Sequence, residues 1–319
     1  MSFTILGTGH YLPERSVSNK ELAEFLDTSD EWIYKRLGIH NRRVCTTESA
    51  AFLAFRAGQA ALEHSGVTPE ELDLIVCATI SEDCASPSMA CLVQNMLGAR
   101  CPAFDVSAAC SGFIYALDTA AGFFVRKAVQ RVLVIGAERM TRLLDWTDRG
   151  TAIIFGDGAG AAVLGPGDAY LASRLCAKGG DDVLKIPQFT GECPFYTREK
   201  ETPFLRMNGQ ETFKFAVHSM QKDLLDVISQ AGLQEEDIDW VIPHQANIRI
   251  IDAARKRLRI PPERYCTNIE NTGNTSAASV PILLDELWRS GKLKNGDYIA
   301  MTSFGAGLTS AACLLRAVL

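Results

Sequence analysis

An internal repeat constrains the fold of this chain more than any other feature. The segment GVTPEELDLIV at 66–76 resembles GLQEEDIDWVI at 232–242, and FGDGAGAAVL at 155–164 resembles FGAGLTSAAC at 304–313. Both pairs occur in the same order and at similar separations, which indicates two copies of one topology. Chance similarity between short strand-and-turn segments is the alternative explanation.

Short apolar runs alternate with longer amphipathic stretches along all 319 residues, which is the pattern of an α/β protein. We predict two duplicated halves, 1–170 and 171–319, with a site where strand ends from both halves meet. Segment 179–203, rich in glycine, proline and charge, is predicted to be a surface excursion. The predicted strands lie at 3–6, 74–78, 103–106, 132–135, 240–242 and 298–301. The predicted helices lie at 19–25, 48–64, 111–129, 211–231, 248–258 and 276–290.

Composition excludes several classes of protein. With 47% hydrophobic and 22% charged residues the chain is neither disordered nor fibrous. A net charge of -6 argues against a nucleic-acid binder that acts through overall charge. We expect neither a membrane span nor a signal peptide, because long apolar runs and a basic N-terminus are missing. The ten cysteines include no CxxC pair, so we expect mostly free, buried thiols in a reducing cytoplasm.

A nucleophile candidate lies in DVSAACSGF, where a short strand leads into small residues, Cys110 and an apolar helix. Unpaired backbone N–H groups at a helix N-terminus favour an anion, so this position is expected to lower the pKa of the thiol. A buried structural cysteine at a tight turn is the alternative.

Three further segments combine a strand end with polar or glycine-rich residues. His244 follows the strand in WVIPHQAN, where a site residue of an α/β fold belongs. Asn274 lies in NTGNTSAAS, which taken locally is more simply an Asn-Gly turn followed by a helix cap. The turn FGAGL at 304–308 could present backbone N–H groups to an oxyanion, and it lacks the ending of a phosphate loop.

Together, the motifs DVSAACSGF, VIPHQAN, NTGNTSAAS and FGAGLTS resemble the thiolase-type β-ketoacyl-acyl-carrier-protein synthase III family. The resemblance runs from ILGTGHYLPE at the N-terminus to the C-terminus. It implies a thiolase-like fold whose two halves pack into a layered αβαβα core, and a cytoplasmic homodimer. Elongating condensing enzymes resemble this pattern too, but they are longer and use two histidines. The interface is expected at 104–113 and 87–98.

The resemblance implies an acyltransferase that starts type II fatty acid synthesis. An acyl-CoA, either acetyl-CoA or a longer or branched primer, would acylate Cys110, with the N–H groups of Cys110 and Ala306 as oxyanion hole. Malonyl-acyl carrier protein (malonyl-ACP) would then lose CO2, and His244 and Asn274 would stabilise its enolate. The products would be a 3-oxoacyl-ACP, CO2 and CoA. This chemistry requires no metal and no cofactor, because the CoA thioester is a substrate.

Binding residues also follow from the resemblance. Trp32 and Arg149 match the positions that sandwich the CoA adenine, although Trp32 could equally be a core aromatic. The other expected CoA-binding residues are Thr28, Arg36, Met207, Gly209, Phe213 and Asn247. A basic face for the acidic carrier protein is expected at Lys214, Arg249, Arg255, Lys256 and Arg257, with solvated surface charge as the alternative.

One position departs from the family pattern. An aromatic residue often precedes the Pro-Ser of this region and limits acyl length in the partner subunit. Here Ser86 occupies that position, which predicts a roomier acyl pocket.

Three other functions compete with this interpretation. A papain-like protease also uses Cys, His and Asn in this order, but its C-G-[SA]-C-[WY] context is missing here. A non-catalytic scaffold is disfavoured because all three catalytic residue types are present. A sibling condensing enzyme of secondary metabolism, with another primer or with malonyl-CoA as extender, remains the alternative.

Overall fold

The computed structural model describes residues 2–187, 194, 195, 197 and 201–319, so that Cys193 and part of the predicted 179–203 excursion lie outside it. Its strands are β1 (Ser2–Tyr11), β2 (Ser16–Ser18), β3 (Asn41–Arg43), β4 (Leu74–Ala78), β5 (Ala103–Val106), β6 (Val132–Arg139), β7 (Asp157–Gly167), β8 (Tyr170–Ala177), β9 (Leu184–Lys185), β10 (Arg206–Met207), β11 (Trp240–Pro243), β12 (Tyr298–Gly305) and β13 (Thr309–Arg316). Its helices are α1 (Asn19–Leu22), α2 (Asp30–Leu37), α3 (Ala50–Ser65), α4 (Met89–Leu97), α5 (Gly112–Val125), α6 (Gly209–Gln230), α7 (Ile248–Arg255), α8 (Ile269–Thr272) and α9 (Ser279–Arg289).

Two sheets repeat one topology. The first has the order β1-β7-β6-β4-β5 and the second, read from its equivalent edge, β8-β13-β12-β11. In each sheet the first two pairings are antiparallel and the third is parallel. The duplication predicted from the sequence is therefore confirmed, and β5 extends the first sheet only. The strands of the first sheet lie within 2–167 and those of the second within 170–316.

The helices complete a five-layered αβαβα arrangement, which confirms the predicted fold class. Helices α5 and α9 lie between the two sheets, α3 and α4 cover the outer face of the first sheet, and α6 and α7 cover the second. In the central layer Leu117 and Leu284 pack with Val134 and Met301, all of them buried. Burying each such side chain contributes about 1.5–3 kcal/mol.

Two glycines bring the polar 274–282 segment against the first sheet. Gly136 and Gly160 are partners across β6 and β7. A Cβ on Gly136 would lie 2.4 Å from the carbonyl oxygen of Ala277, and one on Gly160 would lie 2.5 Å from the backbone nitrogen of Ile282. Only glycine permits this approach, which places Asn274 beside the strand ends of the first sheet.

Capping residues fix the helix that carries Trp32. Helix α2 begins after Ser29, whose hydroxyl accepts the N–H of Trp32, and ends at Gly38 with a φ of +77°. Asp30 and Glu31 lie in its first turn and Lys35 and Arg36 in its last, which matches the helix dipole.

Several predicted boundaries differ from the structure. The predicted helix at 276–290 is a 3₁₀ turn, Ser276–Ala278, followed by α9. The predicted helices at 111–129 and 248–258 end earlier, at Val125 and Arg255. The predicted strand bounds do not cover β7, β8 or β13, although β7 and β13 lie partly within the repeated segments 155–164 and 304–313. Strand β7 is rich in glycine and alanine, which have weak strand propensity. In the described part of the chain, no helix has the length and apolarity to cross a membrane.

Candidate active site

The carboxyl ends of strands from both sheets open on a cavity of about 240 Å³. Cys110 follows β5, His244 follows β11, and Asn274 precedes α9; all three line this cavity. Residues far apart in the chain therefore meet at one place, as expected for duplicated halves that pack against each other.

Cys110 lies in the tight 3₁₀ turn Ala109–Ser111 between β5 and α5. Ala109 has a φ of +47°, in the left-handed region that non-glycine residues seldom occupy, so the turn is strained. Gly305 at the end of β12 presses against it, because a Cβ there would lie 2.7 Å from the backbone nitrogen of Cys110. The hydroxyl of Thr309 also donates to the carbonyl oxygen of Ala108 at 3.0 Å. Contacts from the second half thus hold the turn in place.

The expected lowering of the thiol pKa is wrong for this protein. Burial raises the pKa of Cys110 to about 12, and the charge of Glu138 adds to the rise. The Ser276 hydroxyl and the backbone N–H of Cys110 act in the opposite direction but do not outweigh burial. Helix α5 begins at Gly112, two residues after Cys110, and its N-cap is Ser111, so Cys110 precedes the cap of the helix. At neutral pH the sulfur therefore holds its proton.

His244 is buried at the end of β11, where its backbone N–H donates to the carbonyl oxygen of Thr302 at 2.8 Å. Burial lowers the pKa of its imidazole to about 3, so the ring is neutral. Nδ1 lies 2.6 Å from the hydroxyl of Ser279, the first residue of α9. Nε2 has no hydrogen-bond partner among the described residues. The ring of Phe304 packs edge-on against the imidazole at 5.2 Å.

Asn274 is anchored by both its backbone and its side chain. Its N–H donates to the carbonyl oxygen of Ile154 at 2.9 Å, and its carbonyl oxygen accepts from Gly156 at 3.0 Å. The side-chain oxygen Oδ1 accepts the backbone N–H of Ser276 at 2.8 Å. Because Oδ1 is engaged in this way, the Nδ2 amide group remains to donate to a ligand in the cavity.

Ala306, the second expected oxyanion donor, lines the same cavity directly after Gly305. Its carbonyl oxygen lies 3.0 Å from the same Thr309 hydroxyl that contacts Ala108, so the two carbonyl groups share this donor. The close contact of Gly305 with Cys110 brings the two backbone segments together at the thiol.

Three side chains around the site were not singled out from the sequence. Ser276 and Ser279 lie within the NTGNTSAAS motif, and the sequence predicts them only as part of the helix at 276–290. Glu138 is fully buried near the end of β6. The signal for Glu138 was available, since it is a carboxylate in the apolar strand VLVIGAER.

The expected CoA-binding residues fall into two groups. The residues that line the cavity are Met207, Gly209, Phe213 and Asn247. The others cluster around Trp32, where the guanidinium carbon of Arg36 lies 4.1 Å and that of Arg149 lies 5.4 Å from the ring centroid. Arg149 also donates to the carbonyl oxygen of Asp27 at 2.6 Å, and Thr28 follows Asp27 in the chain. Leu37 and Gly150 line the cavity and adjoin Arg36 and Arg149, so this cluster lies at its mouth.

The expected docking residues lie on α6, on α7 and directly after α7, and the two helices pack together. Lys214 is paired with Glu211 at 2.8 Å, and Arg255 with Asp252 at 2.9 Å. Arg249, Lys256 and Arg257 are exposed and have no ion pair among the described residues. Lys256 terminates α7 instead of lying within it.

Ser86 is exposed and lies outside the cavity of the thiol. Its neighbours Cys84 and Ala85 line a second cavity of about 730 Å³, which shares Ala109 and Ala306 with the first. Across the described residues, His, Cys, Asp and Glu side chains form no group of three or more that could hold a metal ion.

Comparison with known proteins gives a consistent result. Residues 104–179 match the family model described as 3-oxoacyl-[acyl-carrier-protein (ACP)] synthase III, and residues 228–317 match the C-terminal model of that family. β-Ketoacyl-[acyl-carrier-protein] synthase III of Aquifex aeolicus is 46% identical, over 99% of this chain and all of that protein.

Solved structures are similar over the same length. The crystal structure of the synthase III from Aquifex aeolicus has a TM-score of 0.93 at 45% identity, covering 99% of this chain and 100% of that one. The priming β-ketosynthase of the R1128 polyketide biosynthetic pathway has a TM-score of 0.92 at 38% identity, covering 99% and 96%.

Proposed function

This chain belongs to the 3-oxoacyl-ACP synthase III family, and we propose that its cavity catalyses the initiating condensation of type II fatty acid synthesis. An acyl group passes from CoA to Cys110, and decarboxylation of malonyl-ACP then provides the carbanion that takes it up. The observation that carries the proposal is the meeting of Cys110, His244 and Asn274 in one cavity.

In the first half-reaction the sulfur of Cys110 attacks the thioester carbonyl of the acyl-CoA. The carbonyl oxygen becomes an oxyanion, which the N–H groups of Cys110 and Ala306 stabilise. A backbone donor does not depend on the side chain, so alanine at 306 serves this role. Release of CoA leaves the acyl group on Cys110.

In the second half-reaction malonyl-ACP loses CO2 and its thioester becomes an enolate. A neutral His244 whose Nδ1 accepts from Ser279 carries its proton on Nε2, the nitrogen without another partner. Nε2–H of His244 and the Nδ2 amide of Asn274 donate to the enolate oxygen. The enolate carbon attacks the acyl-Cys110 carbonyl, which yields 3-oxoacyl-ACP and releases the Cys110 sulfur as a thiolate. One proton taken up from solvent restores the thiol.

The two substrates enter over different faces of the cavity mouth. The CoA adenine stacks at Trp32 between arginine side chains, and its arm passes Met207, Gly209, Phe213 and Asn247 toward Cys110. Acidic ACP docks on the basic face of Lys214, Arg249, Arg255, Lys256 and Arg257, with opposite charges steering the encounter.

We further propose a homodimer in the cytoplasm. Strand β5 is the edge of the first sheet among the described residues, and the ring of Phe104 on it lies tilted against that of Phe123 of α5, with 6.2 Å between the ring centroids. A second copy that pairs along 104–113 and 87–98 provides hydrogen-bond partners for the backbone groups of this edge strand. It also brings Ser86 to the partner's acyl pocket. The chemistry needs no metal or redox group, because the carbon–carbon bond forms at the expense of CO2 release.

The test is a condensation assay with purified protein, a panel of acyl-CoAs, and either malonyl-ACP or malonyl-CoA, with products identified by mass. We expect 3-oxoacyl-ACP from at least one primer and little product from malonyl-CoA. Product formed with malonyl-CoA but not with malonyl-ACP would support the alternative, a condensing enzyme of secondary metabolism. The structural similarity to the R1128 priming ketosynthase is the observation that favours this alternative. No product from any pair would overturn the proposal.

A further inference from the structure

Glu138 is a fully buried carboxyl group that a single side chain separates from Cys110. The reaction described above does not use it. Oε2 accepts hydrogen bonds from the hydroxyls of Ser81 and Thr79 and from the backbone N–H of Ile80, at 3.2 Å for the last. Oε1 accepts the hydroxyl of Ser276 at 3.0 Å.

Ser276 connects this carboxylate to the thiol. The thiol of Cys110 donates to Oγ of Ser276 at 3.5 Å, and the hydroxyl of Ser276 donates in turn to Glu138. Every donor in this chain therefore points from the sulfur toward the carboxylate. Ser276 holds its position with a φ of +51°, a strained conformation for a non-glycine residue.

The resting thiol needs such an acceptor. Cys110 keeps its proton at neutral pH, and a thiol becomes an effective nucleophile only as that proton leaves. His244 is a poor candidate, because its Nδ1 is engaged by Ser279 and its proposed role requires a proton on Nε2.

We propose that Glu138 is the proton acceptor for acylation of Cys110, acting through Ser276; this rests on the proposed function. As the bond from sulfur to the thioester carbon forms, the thiol proton moves to Oγ of Ser276 and the proton of Ser276 moves to Oε1 of Glu138. When the carbon–sulfur bond to CoA breaks, Glu138 returns its proton to Oγ of Ser276, and the hydroxyl of Ser276 gives its own proton to the departing sulfur of CoA, which leaves as the thiol. Glu138 is then again a carboxylate, and no atom or charge is left over.

The surroundings of Glu138 suit this exchange. Burial raises its pKa to about 7, while the bonds from Ser81, Ile80, Ser276 and Ala277 hold it from rising further. The titratable groups that face it are Cys77 of β4 and Cys110. Within the described residues none of its hydrogen bonds comes from a lysine, arginine or histidine. The carboxyl group thus exchanges its proton near neutral pH without a fixed counter-charge.

The test is the single-turnover rate of Cys110 acylation, followed by intact-protein mass from pH 5.5 to 9.5. In the wild type the rate should rise with pH and level off above an inflection near pH 7. Glu138→Gln and Ser276→Ala should each lower the rate at pH 8 by about 100-fold, the usual effect of general-base catalysis, and should abolish that inflection. Ser276→Ala keeps the backbone N–H that orients Asn274. Glu286→Gln, at a half-buried glutamate distant from the cavity, is the matched control and should match the wild type.

A second measurement separates a proton acceptor from a merely structural residue. Protein acylated to completion beforehand should decarboxylate malonyl-ACP at the wild-type rate in both variants, because that step involves no thiol proton. An inflection that stays near pH 7 in both variants, with a rate lowered equally at all pH values, would overturn the proposal. So would an unchanged acylation rate. If Glu138→Gln does not fold, as judged by thermal melting, Ser276→Ala decides. Failure of the wild type to acylate would instead count against the proposed function.

Discussion

The hydroxyl of Ser279 lies 2.6 Å from Nδ1 of His244, and the role proposed for His244 requires this hydroxyl to donate to Nδ1. Ser279 is the first residue of α9, the helix that lies between the two sheets. The first residue of α9, a helix of the central layer, therefore contacts His244, which follows strand β11 of the second sheet. This helix contributes to the site as well as to the core.

The first prediction concerns this contact. Ser279→Ala removes the donor to Nδ1 and should lower malonyl-ACP decarboxylation about tenfold, the effect of losing one hydrogen bond of roughly 1.4 kcal/mol. Acylation of Cys110, measured by mass, should stay unchanged because His244 does not take part in it. Ser219→Ala, at a buried serine of α6, is the control. Equal losses in both half-reactions would contradict the assigned role.

The second prediction concerns stability and pH. The pKa of His244 is about 3 in the folded protein and near 6.5 in an unfolded chain. Below pH 6.5 the unfolded chain therefore binds a proton that the folded protein does not, so the free energy of unfolding falls as the pH drops from 6.5 toward 3.

Urea unfolding at pH 8 and pH 5 measures this effect. His244→Asn should reduce the loss of stability between the two pH values by about 2 kcal/mol. His218→Asn, which alters an exposed histidine, should leave it unchanged. A pH dependence identical in all three proteins would show that His244 is not buried in neutral form.

The third prediction concerns the packing of β12 against the thiol turn. Gly305→Ala places a Cβ 2.7 Å from the backbone nitrogen of Cys110 and 3.1 Å from Cβ of Ala109, so the turn must move. Displacing an oxyanion donor should slow acylation at least about 100-fold. Gly179→Ala meets no atom within 4 Å and serves as the control. Normal acylation in Gly305→Ala would mean that the N–H groups near Cys110 are not needed where they now lie.

The fourth prediction concerns the cluster at the cavity mouth. Trp32→Ala removes the ring that Arg36 and Arg149 contact, and it should raise the KM for acyl-CoA about tenfold with little change in kcat. Acyl-pantetheine lacks the nucleotide, so its kinetics should be the same in both proteins. A loss of activity toward acyl-pantetheine would assign Trp32 to the core instead.

The fifth prediction concerns the basic face. Reversing charge with Arg249→Glu should raise the KM for malonyl-ACP about tenfold and make it less sensitive to salt. The KM for malonyl-CoA should not change. Lys294→Glu reverses an exposed charge before the first residue of β12, at the strand end remote from the cavity, and is the control. If the KM for malonyl-ACP rises equally in both variants, the rise reflects the overall charge of the protein and not docking on the basic face.

The fold could be predicted largely because the sequence repeats. The segments at 66–76 and 232–242 each form a 3₁₀ turn followed by a strand, β4 and β11, in equivalent positions. The repeat includes part of β7 but predicts no bounds for this strand, since its glycines suit close packing against α9 and carry no strand signal of their own.

The site was predictable to the extent that each residue lies in a local motif. Cys110, His244 and Asn274 all follow or adjoin strand ends, and the two sheets bring them together. The apolar strand around Glu138 marks this carboxylate as unusual, but its link to Ser276 is a contact between distant segments, which no local pattern contains. The thiol pKa was predicted in the wrong direction for the same reason, since burial is a property of the assembled fold.

The central claim is that Cys110 is the acylated nucleophile. The direct measurement is intact-protein mass after incubation with a panel of acyl-CoAs, for the wild type and Cys110→Ala, followed by peptide mapping. The wild type should gain the mass of one acyl group on Cys110, and Cys110→Ala should gain none. Acyl transfer to Cys110→Ala at the wild-type level, or to another of the ten cysteines, would contradict the account.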